Sequence, residues 1–382
     1  YFRDLGVDAD LFLIPDRKIV HFDPQNDTWK DLSNKSWIKK FPLSYHWTTY
    51  FKSNLEIIKE TFKEYDKLIV CGPAMGLINK AGLNVDLFIP YGADLFQIPF
   101  PRENKIDNTL KNFILNAFTT LILAPLQIKS IKSAKKIICN TNWKTAKNAL
   151  DKLDCRGINL PRIMVYKEKI PAEFKKKYKW IKSHDFVIFS PTRHLWKTNA
   201  DPMPDFIKEG GAKRNDKLIK AFKRFVDLKK KSNPLLLLCE YGADVNYSKK
   251  LISDLDLNTY VRWLPLLPRK EIVAIMTQSH CIADQFRVGH SATSAGTTNE
   301  ALAYGVPVIT NSDGAIFIKK DPYFKCPIIQ ALTENEIYSH LVTLFENPKL
   351  CIKIAKNQKK WFKENLSLNL AKKYIDLIAN VS

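Results

Sequence analysis

The sequence has no apolar run able to cross a bilayer. The longest, Phe113 to Leu126, is broken by polar residues and by Pro125, and it falls short of the roughly 20 residues a spanning helix needs. No secretory leader is visible. A disulfide framework is also lacking: the seven cysteines (71, 139, 155, 239, 281, 326 and 351) are odd in number and widely spaced. They read as buried thiols of a reducing cytoplasm, and no two have zinc-ligand spacing. Internal repeats and low-complexity tails are absent. Acidic residues are in deficit, 39 against 60 basic ones, for a formal charge of +21. That surplus sets an expectation of acidic partners: a nucleotide sugar, an anionic lipid surface or nucleic acid. The basic residues are dispersed instead of interleaved with aromatics in one cluster, which argues against nucleic acid.

What is present suits two medium α/β cores: 382 residues, 45% of them apolar. Residues 1 to 14 read as the last turn of a helix, a Gly6 cap and a strand; a βαβ domain would have a further strand ahead of that helix. Short apolar strands follow at Lys67 to Cys71, Val85 to Pro90 and Lys136 to Asn140, alternating with helical stretches as in a parallel sheet. The apolar segment within 103 to 135, flanked by lysines, reads as the core face of a helix or as a membrane-surface helix. The charged run Tyr166 to His184 reads as a linker. We therefore expect a first domain over 1–175, a second over 176–364 and a C-terminal helix over 365–382 that crosses back to the first. Strands in the second domain are expected at 185–190, 234–240 and 259–263. An amphipathic helix is expected after Lys213, with Leu218, Ile219, Phe222 and Val226 on one side.

The most informative stretch is 281 to 314. It reads as a buried strand, a small-residue loop, a helix opening at Gly296, a Gly305 stop and a strand over Val306 to Thr310, a β-loop-α-β unit. Gly296, Thr297 and Thr298 would let backbone N–H groups at a helix start approach a phosphate, where the helix dipole also favours negative charge. Glu300, one turn in, could accept from both hydroxyls of a ribose. The same pattern also fits a helix with Thr297 or Thr298 as its cap and Glu300 favouring its N-terminus. Asp94, in Ile89-Pro-Tyr-Gly-Ala-Asp-Leu95, follows a strand's carboxyl end, where open α/β sheets place ligands; it could bond a sugar, help catalysis or cap the next turn.

Asn299-Glu-Ala-Leu-Ala-Tyr-Gly-Val-Pro-Val-Ile309 resembles the signature of GT-B glycosyltransferases, closest to the large retaining group 1 (family 4). The resemblance implies two facing Rossmann-like domains with parallel sheets and the active site in the cleft between them. It implies that Glu300 holds the donor ribose and that the amides at 296–298 hold the diphosphate. Pro191-Thr-Arg-His resembles the family's Gly-Arg pair and Lys213 its later lysine, so Arg193 and Lys213 would hold and stabilise the leaving diphosphate without a metal or other cofactor. Thr192 and Arg214 stand where the family has glycines, and Lys197 or Lys217 could replace Lys213. Asp94 matches an acceptor-side Asp, Gly242 a close approach to the nucleotide, and Leu264 with its neighbours the base pocket; Pro265 and Pro268 could equally just end a strand and start a helix. A second glutamate common in the family is replaced by Ala292. Asp284 or backbone amides would then contact the sugar, with His290 as a further candidate. The implied function is sugar transfer from a nucleotide-diphosphate donor to a glycan or lipid-linked acceptor in polysaccharide synthesis, in the cytoplasm or peripherally on the membrane. A nucleotide-sugar epimerase and a non-catalytic polyanion-binding or membrane-peripheral protein are the rivals.

Overall fold

The computed structural model describes residues 1–14, 24–32, 34–43, 55–101, 114, 117–141, 144–197, 213–288, 295–312 and 326–380. They form two compact units, one of residues 1–18, 34–162 and 370–382, the other of 19–33 and 163–369.

The first unit holds a parallel pair, β1 (Leu11–Leu13) beside β2 (Ile38–Lys40), and a four-stranded parallel sheet in sequential order: β3 (Ile69–Val70), β4 (Leu87–Phe88), β5 (Lys136–Cys139) and β6 (Ile158–Asn159). The three strands read from sequence are present but shorter than their apolar runs. Gly6 takes the left-handed conformation (φ +82°) that closes the opening turn. The final helix, Leu368–Ala379, packs into this unit: the Tyr374 hydroxyl donates to the Pro161 carbonyl at 2.7 Å, and Lys136 Nζ donates to the Leu377 carbonyl at 2.8 Å.

The second unit is built on a six-stranded, wholly parallel sheet. Its strands are β7 (Phe186–Ser190), β8 (Pro234–Cys239), β9 (Val261–Leu264), β10 (Cys281–Ala283), β11 (Val308–Thr310) and β12 (Ile329–Gln330), in the order β12-β11-β10-β7-β8-β9. β7 and β8 are continuous apolar runs because both faces are covered. Alternate residues feed opposite cores. Phe186, Ile188, Leu236 and Leu238 enter one core with Leu218, Ile219, Phe222 and Phe225 of helix α1 (Asn215–Leu228). Val187, Phe189, Leu235 and Leu237 enter the other, with Ile275, Ala301 and Val308.

The charged run at 166–184 is not an extended connection. Within it lie a helix, Ala172–Lys177, and a 3-10 turn, Lys179–Ser183, and Ile170, Tyr178 and Ile181 are buried in the second unit's core. Lysines on one side and three apolar anchors on the other give a surface-hugging segment, and the change of unit falls ahead of it, between Arg162 and Ile163. Residues 24–32 belong to the second unit, an excursion with no signal in the local sequence.

Candidate functional site

In an open parallel sheet, side chains able to meet a ligand collect beyond the carboxyl ends of the strands. In the second unit these ends carry a linked polar network. Asp284, the residue after β10, is buried, and both of its carboxylate oxygens are engaged. Oδ1 accepts from the Thr192 hydroxyl at 2.9 Å and Oδ2 from the Thr298 hydroxyl at 2.7 Å. It thereby ties the loop after β7 to the helix Gly296–Tyr304. Thr298 therefore does not cap that helix. The N-cap is Ala295, which supplies no side-chain acceptor, while Gly296 and Thr297 are only half-buried. Gly305 ends the helix at φ +68°, as its place in the sequence predicts.

The basic residues stand on the same edge. Lys213 Nζ donates to Gln285 Oε1 at 2.7 Å, its N–H donates to the Leu195 carbonyl and its own carbonyl accepts from Phe286 N–H. Arg193 is half-buried in the loop after β7. Lys217 is turned inward, donating to the carbonyls of Phe286 and Leu332, and burial lowers its pKa. Lys197 lies with Nζ 4.2 Å from the Tyr247 ring.

Gly242 fixes how the loops after β7 and β8 meet. Its φ is +115°, and a Cβ there would sit 2.3 Å from the His194 carbonyl oxygen and 2.5 Å from its nitrogen. His194 N–H donates to the Tyr241 carbonyl at 2.6 Å, and Asp244 N–H to the His194 carbonyl at 3.0 Å. The His194 ring is sealed against Trp263, with Nδ1 2.8 Å from Ser248 Oγ, and burial pushes its pKa down to about 4. Leu264, at the end of β9, is buried, and its carbonyl accepts from Glu240 N–H at 2.8 Å.

Glu300 is 7% exposed and Oε1 accepts from Arg269 Nε at 2.5 Å. Arg269 opens the helix Arg269–Met276, which Pro268 starts, and its Nη1 donates to the Asp27 carbonyl at 3.2 Å. Burial raises the Glu300 pKa and the arginine opposes that rise. The family signature pointed to Glu300, but nothing in it pointed to Arg269. The available signal was a cation in the first turn of a helix, against the dipole. A position unfavourable to a cation asks for a carboxylate partner.

Asp94 stands in the first unit. It is fully buried, and its carboxylate accepts from the N–H groups of Gly72 (2.9 Å), Gly92 (2.9 Å) and Tyr91 (3.1 Å). It organises the loops after β3 and β4 through amides that precede it, and it does not cap the turn that follows, where Gly92 is the N-cap and no side chain bonds to the helix start. Burial raises its pKa and the three donors oppose that. Asp10, in the Asp8-x-Asp10 pair, is held by Lys39, Arg3 and Tyr65, and Asp256 sits in a left-handed turn at φ +53°. Among the described residues no three His, Cys, Asp or Glu side chains gather as metal ligands, and all seven cysteines are free thiols. Likewise no helix among them is long and apolar enough to cross a membrane. His290 and Ala292 lie outside the described residues.

The fold is the GT-B fold of glycosyltransferases, and residues 210–361 match the family model described as glycosyl transferases group 1. The second unit thus carries a group 1 glycosyltransferase domain. Solved structures agree on the fold. Sucrose-phosphate synthase from Thermosynechococcus elongatus superposes with a TM-score of 0.56 at 13% identity, over 99% of this chain and 91% of its own. Anabaena HepE in complex with UDP-glucose gives 0.55 at 15%, over 89% and 86%. WaaG, a glycosyltransferase involved in lipopolysaccharide biosynthesis, gives 0.54 at 15%, over 90% and 88%. None of the curated proteins matches the chain.

Proposed function

We propose that the protein transfers a sugar from a nucleotide-diphosphate donor to a hydroxyl acceptor, with retention of configuration and without a metal, in the synthesis of a polysaccharide or lipid-linked glycan. The observation that carries this reading lies at the edge of the second unit's sheet: Asp284 joins Thr192, the residue before Arg193, to Thr298 in a helix start without a side-chain cap, and Lys213 donates to the next residue, Gln285. Backbone N–H groups at a helix start and two cations suit a diphosphate, a guanidinium gripping phosphate oxygens as a fork and an ammonium adding a point charge. The same groups favour the charge that gathers on a departing diphosphate, the task a metal performs elsewhere. Glu300, one turn into that helix, would accept from ribose hydroxyls. Asp284 spends both oxygens on threonine hydroxyls, so its part is to fix the loop and helix between which the diphosphate would lie. HepE was solved with UDP-glucose, which makes UDP the first nucleotide to try.

Thermal-shift measurements with UDP, GDP, ADP and CMP in metal-chelating buffer test the reading, since a ligand of the native state raises Tm by mass action. One nucleotide should stabilise the protein, and Arg193→Ala and Glu300→Ala should each abolish the shift. If no nucleotide shifts Tm, the donor reading fails.

A further inference from the structure

Glu300 is buried, yet it is not left to itself: the Arg269 guanidinium holds it through Nε. Arg269 is in turn held by a stretch of chain remote in sequence. Nη1 donates to the Asp27 carbonyl. The segment carrying Asp27 is anchored by Glu168, which accepts from the Thr28 hydroxyl at 2.7 Å and from Trp29 N–H at 3.4 Å. Glu168 N–H also meets the Tyr304 hydroxyl at 3.2 Å, and Tyr304 lies one turn beyond Glu300 on the same helix. The path from Glu300 through Arg269, residues 27–29 and Glu168 back to the helix is closed.

We propose that Arg269 is the positioning residue of the donor site, fixing the Glu300 carboxylate by one oxygen so that the other is left to accept from the ribose. The inference rests on the donor reading above and deepens it. A buried carboxyl with no cation beside it tends toward its neutral form, which donates one hydrogen bond and accepts weakly. The charged groups acting on Glu300 are Arg269, which favours ionisation, and Asp27 and Asp284, which oppose it. Two carboxylates and burial against a single cation leave Arg269 to decide the balance. The residue also selects against nucleotides that cannot donate to a carboxylate at the sugar, such as 2′-deoxy forms.

Calorimetric titration of UDP, GDP and ADP, each beside its 2′-deoxy analogue, decides the matter when run on the intact chain and on Glu300→Gln, Arg269→Met, Arg269→Lys and the Glu300→Gln/Arg269→Met pair. A group that acts through another shows no cost once the other is gone. Glu300→Gln and Arg269→Met should each weaken the bound ribonucleotide about 10-fold, and the double variant should be no weaker than Glu300→Gln alone. Preference over the 2′-deoxy form should fall with both single variants, and Arg269→Lys should keep most of it. Affinity of Arg269→Met should also climb with pH more steeply than that of the intact chain, a response that a purely structural role would not give. Multiplying penalties, or an Arg269→Met variant that binds like the intact chain, overturn the inference and leave the donor reading standing. If Glu300→Gln binds all three nucleotides unchanged, or none binds the intact chain, the donor reading falls and this inference falls with it.

Discussion

Gly242 and His194 sit back to back, and each constrains what the other position tolerates. At Gly242 a side chain meets left-handed strain worth about 1–3 kcal/mol and a backbone 2.3 Å away that cannot swing aside. Gly242→Ala should therefore lower unfolding free energy by at least that amount in urea titration, and it should disturb nucleotide binding by shifting the loop that carries Arg193. His194 makes a different prediction. Its ring is neutral in the folded protein, with a pKa near 4 against 6.5 for the free side chain. Between those values the unfolded chain takes up the proton and the folded chain does not. The imidazole's contribution is thus complete above pH 6.5 and drains away as the pH falls toward 4, by on the order of 3 kcal/mol. Urea midpoints measured from pH 7 to pH 4 should show this slope, and His194→Asn, which keeps a partner for Ser248, should flatten it.

Asp284 works at the scale of elements, joining a loop and a helix that the backbone alone leaves independent. Asp284→Ala strands the Thr192 and Thr298 hydroxyls in a buried setting, a loss of about 2 kcal/mol or more, and nucleotide affinity should fall with it. Thr333→Ala is the contrast. Thr333 and Glu336 form a reciprocal capping box on the helix Glu334–Glu346, so its loss should cost about 1 kcal/mol of stability and leave nucleotide affinity untouched. The two variants compared by urea titration and calorimetry separate an element that holds the site from one that holds only itself. Elements of this kind were readable in the sequence where the signal is local. The strand-helix-strand run of 281–310 shows small residues, a Gly305 stop and two apolar stretches, and the helix after Lys213 shows its buried stripe by spacing alone. The partners of the site residues were not readable. Asp284, expected with the backbone amides as a contact of the sugar, has Thr192 as a partner 92 positions away, which nothing nearby in sequence reveals. Arg269, the partner of Glu300, comes from another helix, 31 positions away, and has no mark in the signature. The run at 166–184 looked like a linker because three apolar anchors among many lysines are a weak pattern, which packing of the second unit nonetheless uses.

At the scale of the molecule, neither unit is one continuous stretch of chain. Residues 24–32 complete the second unit through Asp27, Thr28 and Trp29, and Trp29 adds an edge contact with Phe174. A fragment of residues 163–369 alone loses these contacts. By calorimetry it should melt roughly 5–10 °C below the same unit in the intact chain, the shift expected for the loss of a few kcal/mol in a domain of that size. The interleaving also sets an order in time. At about 5–20 residues per second of synthesis, the Asp27 carbonyl waits on the order of tens of seconds for Arg269, 242 positions later. Lys136 waits about as long for the carbonyl of Leu377, 241 positions on. Neither unit can close these contacts until its later residues have been made, so the early segment of each is synthesised well before its partner exists.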